Sequence, residues 1–123
     1  MKTIVIVDDD EKIKRMLTRR LKKAGYEIHT AENGKIGIEK VLELQPSLTL
    51  MDMHMPVMNG YEAASALRKT GYTGIVIALT ASAMADDVHK SIKAGCDYFI
   101  SKPIGADFEK QILDILAGKL KGV

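Results

Sequence analysis

The sequence has little of what staples or interrupts a fold. It contains one cysteine, Cys96, which excludes an intramolecular disulfide and fits a reducing compartment. Only 3 prolines and 10 glycines occur among 123 residues, and with 28% charged residues this argues against disorder and low complexity. Neither sign of charge dominates. Eighteen Lys and Arg against 16 Asp and Glu leave +2, so no strongly basic nucleic-acid binder and no acidic tail is indicated. No apolar run approaches a membrane span. The first apolar run, Thr3 to Val7, stops at three aspartates and lacks the long core and cleavage site of a secretory signal. A cytoplasmic protein without membrane contact is therefore expected. What is present is 46% apolar residues in a chain of ordinary domain length. Such a chain buries roughly two thirds of its unfolded surface and needs no structural metal. One domain over residues 1–123 is expected.

Apolar runs alternate with segments of helical period five times. Thr3–Val7 is a short β-branched run without alternation, as in a strand buried on both faces. Ile13, Met16, Leu17, Leu21 and Ala24 then fall on one helical face, and Gly25 closes that helix. A strand at about Glu27–Thr30 precedes a helix over Gly34–Leu44, with Asn33 as N-cap, Ile38, Val41 and Leu42 as its buried stripe and Pro46 as its stop. Leu48–Met51 is the third strand and ends at Asp52. Asn59 and Glu62 form a capping-box pattern ahead of a helix carrying Ala63, Ala64 and Leu67. Gly74–Leu79 is the fourth strand. It leads through Thr80 to a helix with Ala85, Val88 and Ile92, closed by Gly95. Tyr98–Ile100 is the fifth strand, and Phe108, Ile112, Ile115 and Leu116 mark the last helix. A (βα)5 alternation with short loops implies an α/β fold, a parallel sheet covered by helices on both faces.

Ligands of such sheets bind beyond the carboxyl ends of the strands. Asp8, Asp9, Asp52, Thr80 and Lys102 all fall at such ends. A nucleotide fold places glycines in the first strand-to-helix turn. This chain places Asp8, Asp9, Asp10 and Glu11 there, which repel phosphate unless a cation intervenes. Oxygen-only ligands at an open site suit Mg²⁺. The bland alternative is that the acids complement the positive end of the first helix. Asp52 adds a second acidic strand end, and a cluster of like charges needs a cation or a proton. A carboxylate can attack phosphorus to give an aspartyl phosphate, with Lys102 and the Thr80 hydroxyl receiving the remaining phosphoryl oxygens.

Four segments carry a resemblance: Val5-Ile6-Val7-Asp8-Asp9, Met51-Asp52-Met53-His54-Met55-Pro56-Val57-Met58-Asn59-Gly60, Ala78-Leu79-Thr80-Ala81 and Ile100-Ser101-Lys102-Pro103. In this order and at strand ends, they make the chain resemble a response-regulator receiver domain over its whole length. The resemblance implies a flavodoxin-like fold with strand order 2-1-3-4-5. It implies that Asp52 takes a phosphoryl group from a phosphohistidine on a sensor histidine kinase or a histidine phosphotransfer protein. It implies that Asp9 holds Mg²⁺ directly, Asp8 through water, and that Asp52 and the backbone carbonyl of His54 complete the protein ligands. Thr80 and Lys102 would bind the phosphoryl oxygens, and Lys102–Pro103 would be a cis peptide. Thr80 and Phe99 would form the switch that alters the fourth helix, fifth strand and fifth helix, roughly residues 83–118. Phe99 departs from the Tyr more common at its position, and Asp10 is an extra carboxylate that either draws the metal or caps the helix.

Several residues have plainer readings. His29, His54 and His89 make no helical pair, so a zinc site is not expected; His54 either lies beside the phosphoryl group or faces solvent. Met51, Met53, Met55 and Met58 read as packing residues and loop anchors. Seven basic residues and no acid lie between Lys12 and Lys23. They form either a solvated face or a docking face for an acidic partner. A rival function is a haloacid-dehalogenase-type phosphatase, with Asp8 as nucleophile and Asp10 as acid/base. That family needs a later acidic pair, and nothing acidic closes a strand after Lys102. A binding-only pseudo-receiver is opposed by the full set of five site residues. Direct nucleic-acid binding is not expected.

Overall fold

The computed structural model describes residues 2–81 and 85–118. The strands are β1 (Thr3–Val7), β2 (Glu27–Ala31), β3 (Leu48–Asp52), β4 (Ile75–Thr80) and β5 (Tyr98–Ser101). The helices are α1 (Glu11–Lys23), α2 (Gly34–Leu44), α3 (Gly60–Lys69), α4 (Ala85–Ala94) and α5 (Phe108–Leu116). All strand pairs are parallel, in the order β2-β1-β3-β4-β5.

Successive strand residues point to opposite faces, so each strand feeds two cores. Ile4, Ile6, Leu50, Ile77 and Leu79 meet Leu17 and Leu21 of α1 and Phe108 and Ile112 of α5. Val5, Val7, Met51, Val76 and Ala78 meet Val41 of α2 and Ala63, Ala64 and Leu67 of α3. The central strand β3 is buried at every residue, Thr49 and Asp52 included, which accounts for its mostly apolar sequence.

Helix ends follow their capping residues. Asp10 caps α1 by accepting from the N–H groups of Lys12 and Ile13, and Asn59 and Glu62 form a reciprocal capping box on α3. Asn33 caps α2, whose C-cap Gln45 adopts a left-handed conformation just before Pro46.

Three buried stripes differ from the sequence expectation. Leu42 is 38% exposed, and α2 instead packs on Gly34, Gly37 and Val41, because Gly37 lets the helix approach Val7 of β1 closely and Gly34 lets it approach Met58 and Ala63. Ile92 of α4 is 40% exposed, while Ser91 is buried with its hydroxyl donating to the Asp87 carbonyl. Ala24 is the exposed C-cap of α1, and within the helix Lys14 is buried, its aliphatic stem covered and its ammonium on Glu11. Strands also run slightly further than expected. The pair Val7↔Ala31 adds a residue to β2, the pairs Asp52↔Leu79 and Thr80↔Ser101 extend the ladders into polar residues, and β4 begins at Ile75 rather than Gly74. Among the described residues, no helix is long and apolar enough to cross a membrane.

Candidate functional site

The site lies where β1, β3, β4 and β5 end. Asp8 follows β1 and is fully buried; Asp9 beside it is exposed; Asp52 is the last residue of β3 and is buried. Carboxylate oxygens of these three residues lie within 4.8 Å of one another. Lys102, just beyond β5, sets its Nζ 3.2 Å from Asp8 Oδ2 and 3.5 Å from Asp52 Oδ1.

Local hydrogen bonds fix these side chains. Asp8 Oδ1 accepts from the Asp10 N–H at 2.9 Å, and Asp52 Oδ1 accepts from the His54 N–H at 3.2 Å. Thr80 closes β4 and is buried, and its backbone carbonyl accepts from the Lys102 N–H at 2.8 Å. The Lys102–Pro103 peptide is cis. Phe99 pairs with Ala78 and packs, partly buried, against the core beneath α2 and α3. The His54 side chain is exposed, its ring 6.2 Å from that of Tyr61 in an edge-on arrangement.

The electrostatics are those of a crowded acidic pocket. Burial pushes the Asp52 carboxyl up to about 6, and the neighbouring Asp8 charge adds to the rise. The His54 N–H and the Lys102 ammonium oppose it. Asp8, Asp9 and Asp52 offer only hard oxygen donors, and Asp9 is open to solvent. This donor set fits a hard divalent cation such as Mg²⁺ and suits zinc or copper poorly.

Of the residues expected at the site, Asp8, Asp9, Asp52 and Lys102 come together directly, and Thr80 joins them through the Lys102 backbone. Phe99 stands apart on β5. Asp10 spends a side-chain oxygen on capping α1. Gly60 is a residue that chemical reasoning missed. A Cβ there would lie 2.3 Å from the Asp52 carbonyl oxygen and 2.8 Å from Met53 Cα. A side chain at position 60 would therefore push the loop off the end of β3. The signal in the sequence was the Asn59-Gly60 pair, legible as a helix start but not as a contact.

Cys96, by contrast, is buried, with its thiol pushed up to about 12 by burial. It is no candidate nucleophile.

Comparison with known proteins is consistent along the chain. A family model described as the response regulator receiver domain matches residues 4–114. The chemotaxis protein CheY of Thermotoga maritima is 39% identical over 103 residues, covering 83% of this chain and 86% of that protein. The sensor histidine kinase RcsC of Escherichia coli is 32% identical over 118 residues, or 96% of this chain. The chain spans only 12% of that kinase's length. A CheY-like receiver domain protein from Methanospirillum hungatei has a solved structure that superposes with a TM-score of 0.88 at 30% identity, covering 97% of this chain and 96% of that one.

Proposed function

Because the chain belongs to the response regulator receiver domain family, a family of signalling domains rather than conventional enzymes, we propose that Asp52 is its phosphoacceptor in a two-component phosphorelay. The donor is a phosphohistidine on a sensor histidine kinase or a histidine phosphotransfer protein. The observation that carries this reading is the buried Asp52 carboxylate gathered with Asp8 and Asp9 while Lys102 reaches both Asp8 and Asp52. A cytoplasmic location belongs to the same proposal.

Asp9, Asp52, the His54 carbonyl and, through water, Asp8 would hold Mg²⁺. When bound, Mg²⁺ supplies positive charge that offsets the carboxylates and the phosphoryl oxygens. The remaining steps belong to the chain. An Asp52 carboxylate oxygen attacks phosphorus as the donor's P–N bond breaks, and the electron pair leaves with the imidazole, which then takes a proton from solvent. Lys102 neutralises the phosphoryl oxygens, and the Thr80 hydroxyl donates to one of them. Catalysis is mostly positioning and charge compensation.

The acyl phosphate adds about −1 to −2 charge and three acceptor oxygens. Drawing the Thr80 hydroxyl inward vacates volume that Phe99 can enter, because a void forfeits packing contacts. The face that responds is α4, β5 and α5, roughly residues 83–118, of which 83 and 84 lie outside the described residues. Incubation with acetyl phosphate and Mg²⁺ should add one phosphoryl mass, and Asp52→Asn should remove it. A mass shift that survives Asp52→Asn refutes the assignment.

A further inference from the structure

The side of α1 away from α5 carries a feature that phosphotransfer does not use. Arg20 points toward α5, where it pairs with Glu109 and donates to the Gly105 carbonyl. Arg15, Arg19 and Lys22 instead line a groove of about 400 Å³ between α1 and the edge strand β2. Ile28 and Thr30 of β2 form its other wall, and Thr18 lies between the cations.

Lys14 also lines the groove and is only 7% exposed. Its ammonium sits 2.6 Å from Glu11, whose side chain is 67% exposed. A buried ammonium held mainly by a water-facing carboxylate is incompletely compensated and can accept a further anion. Among the described residues, Glu11 is the one acid in the lining, against four cations. Glu27 of β2 is turned elsewhere, onto Thr3 and His29.

We propose that this groove binds an extended acidic segment of a partner protein, with carboxylates on alternate residues. Cations four residues apart on a helix, as Arg15 and Arg19 are, lie about 6 Å apart along its axis. Alternate residues of an extended chain lie about 6.7 Å apart, so successive carboxylates meet successive guanidinium groups. Lys40 Nζ covers the Thr30 carbonyl at the strand edge. The segment therefore rests on side chains rather than adding a strand to the sheet. A nucleic acid is disfavoured because no aromatic ring among the described residues lines the groove to stack a base, and because Glu11 and the Asp8–Asp10 turn stand at one end. The proposal is independent of the phosphoacceptor reading.

The test uses the full chain at low salt with a fluorescent eight-residue peptide alternating aspartate and serine. A peptide with asparagine for aspartate and a single-stranded oligonucleotide of equal charge serve as competitors. Amide shifts on adding the aspartate peptide should concentrate in residues 11–30. Arg15→Gln/Arg19→Gln should weaken binding by at least about tenfold, the loss of two charge-assisted contacts. Lys35→Gln/Lys69→Gln removes the same net charge elsewhere and should leave binding intact, as should Asp52→Asn. Melting by circular dichroism checks that each variant folds. Equal loss in the two double variants would overturn the proposal in favour of net-charge attraction. Oligonucleotide binding as tight as that of the peptide, or no shift in residues 11–30, would also overturn it.

Discussion

Lys102 holds its ammonium 3.5 Å from the Asp52 carboxylate, across the end of the strand that lies between their own. The same nitrogen is 3.2 Å from the fully buried Asp8. One cation therefore bridges two carboxylates that would otherwise face each other unscreened. Lys102→Met should destabilise the metal-free protein by roughly 2 kcal/mol, less than for a fully buried pair because the Lys102 side chain is 18% exposed. Urea unfolding at pH 7 in EDTA measures the loss, which should shrink on adding Mg²⁺.

Asp52 itself should weaken the metal-free fold at neutral pH. Its folded value of about 6 lies above the ordinary 3.8, so the folded protein holds the proton more tightly than the unfolded chain. Stability then falls as pH rises through the window from about 4 to about 6, and the cost is complete above it. Asp52→Asn should stabilise the metal-free protein at pH 7 by on the order of 2 kcal/mol and by little near pH 4. A stability gain that does not depend on pH would contradict this assignment of the strain.

Gly60 brings the loop after β3 into contact with the phosphoacceptor's own carbonyl. Gly60→Ala should cost about 1–3 kcal/mol, because backbone and not a flexible side chain must give way. It should also slow phosphorylation by acetyl phosphate, since the displaced loop carries the His54 N–H that orients Asp52. Chemical denaturation and a timed mass assay read the two effects separately.

Val57 is the converse case, a β-branched residue at φ 71° with 79% of its surface exposed. That backbone conformation is strained for valine and well tolerated by asparagine. Val57→Asn should stabilise the fold by about 1 kcal/mol, read as a higher urea midpoint.

Thr80→Ala should still accept a phosphoryl group at Asp52 but should mute the response of residues 83–118. Amide chemical shifts with and without beryllofluoride compare the two proteins. Equal perturbation of that face in wild type and variant would remove Thr80 from the coupling.

Much of this was legible in the chain because chemistry and pattern coincide at strand ends. The largely apolar runs leading to Asp8 and Asp52 marked both the strands and the acids at their ends. The five-stranded order came from the family resemblance, since alternation alone leaves several topologies open. Helix faces were less legible. Leu42 and Ile92 were expected inside by hydrophobicity, yet α2 buries glycines and α4 buries Ser91, because backbone approach and a local hydroxyl bond outweigh side-chain polarity. Lys14 was hidden for the same reason: composition does not reveal that a lysine stem can be covered while its ammonium meets Glu11.

The central claim is that the phosphoryl group resides on Asp52 and not on Asp8, where a phosphatase of the haloacid-dehalogenase type would carry it. Borohydride reduces an aspartyl phosphate to homoserine, and tandem mass spectrometry then locates that residue in the chain. After treatment with acetyl phosphate and Mg²⁺, the account predicts homoserine at position 52; homoserine at position 8 would contradict it.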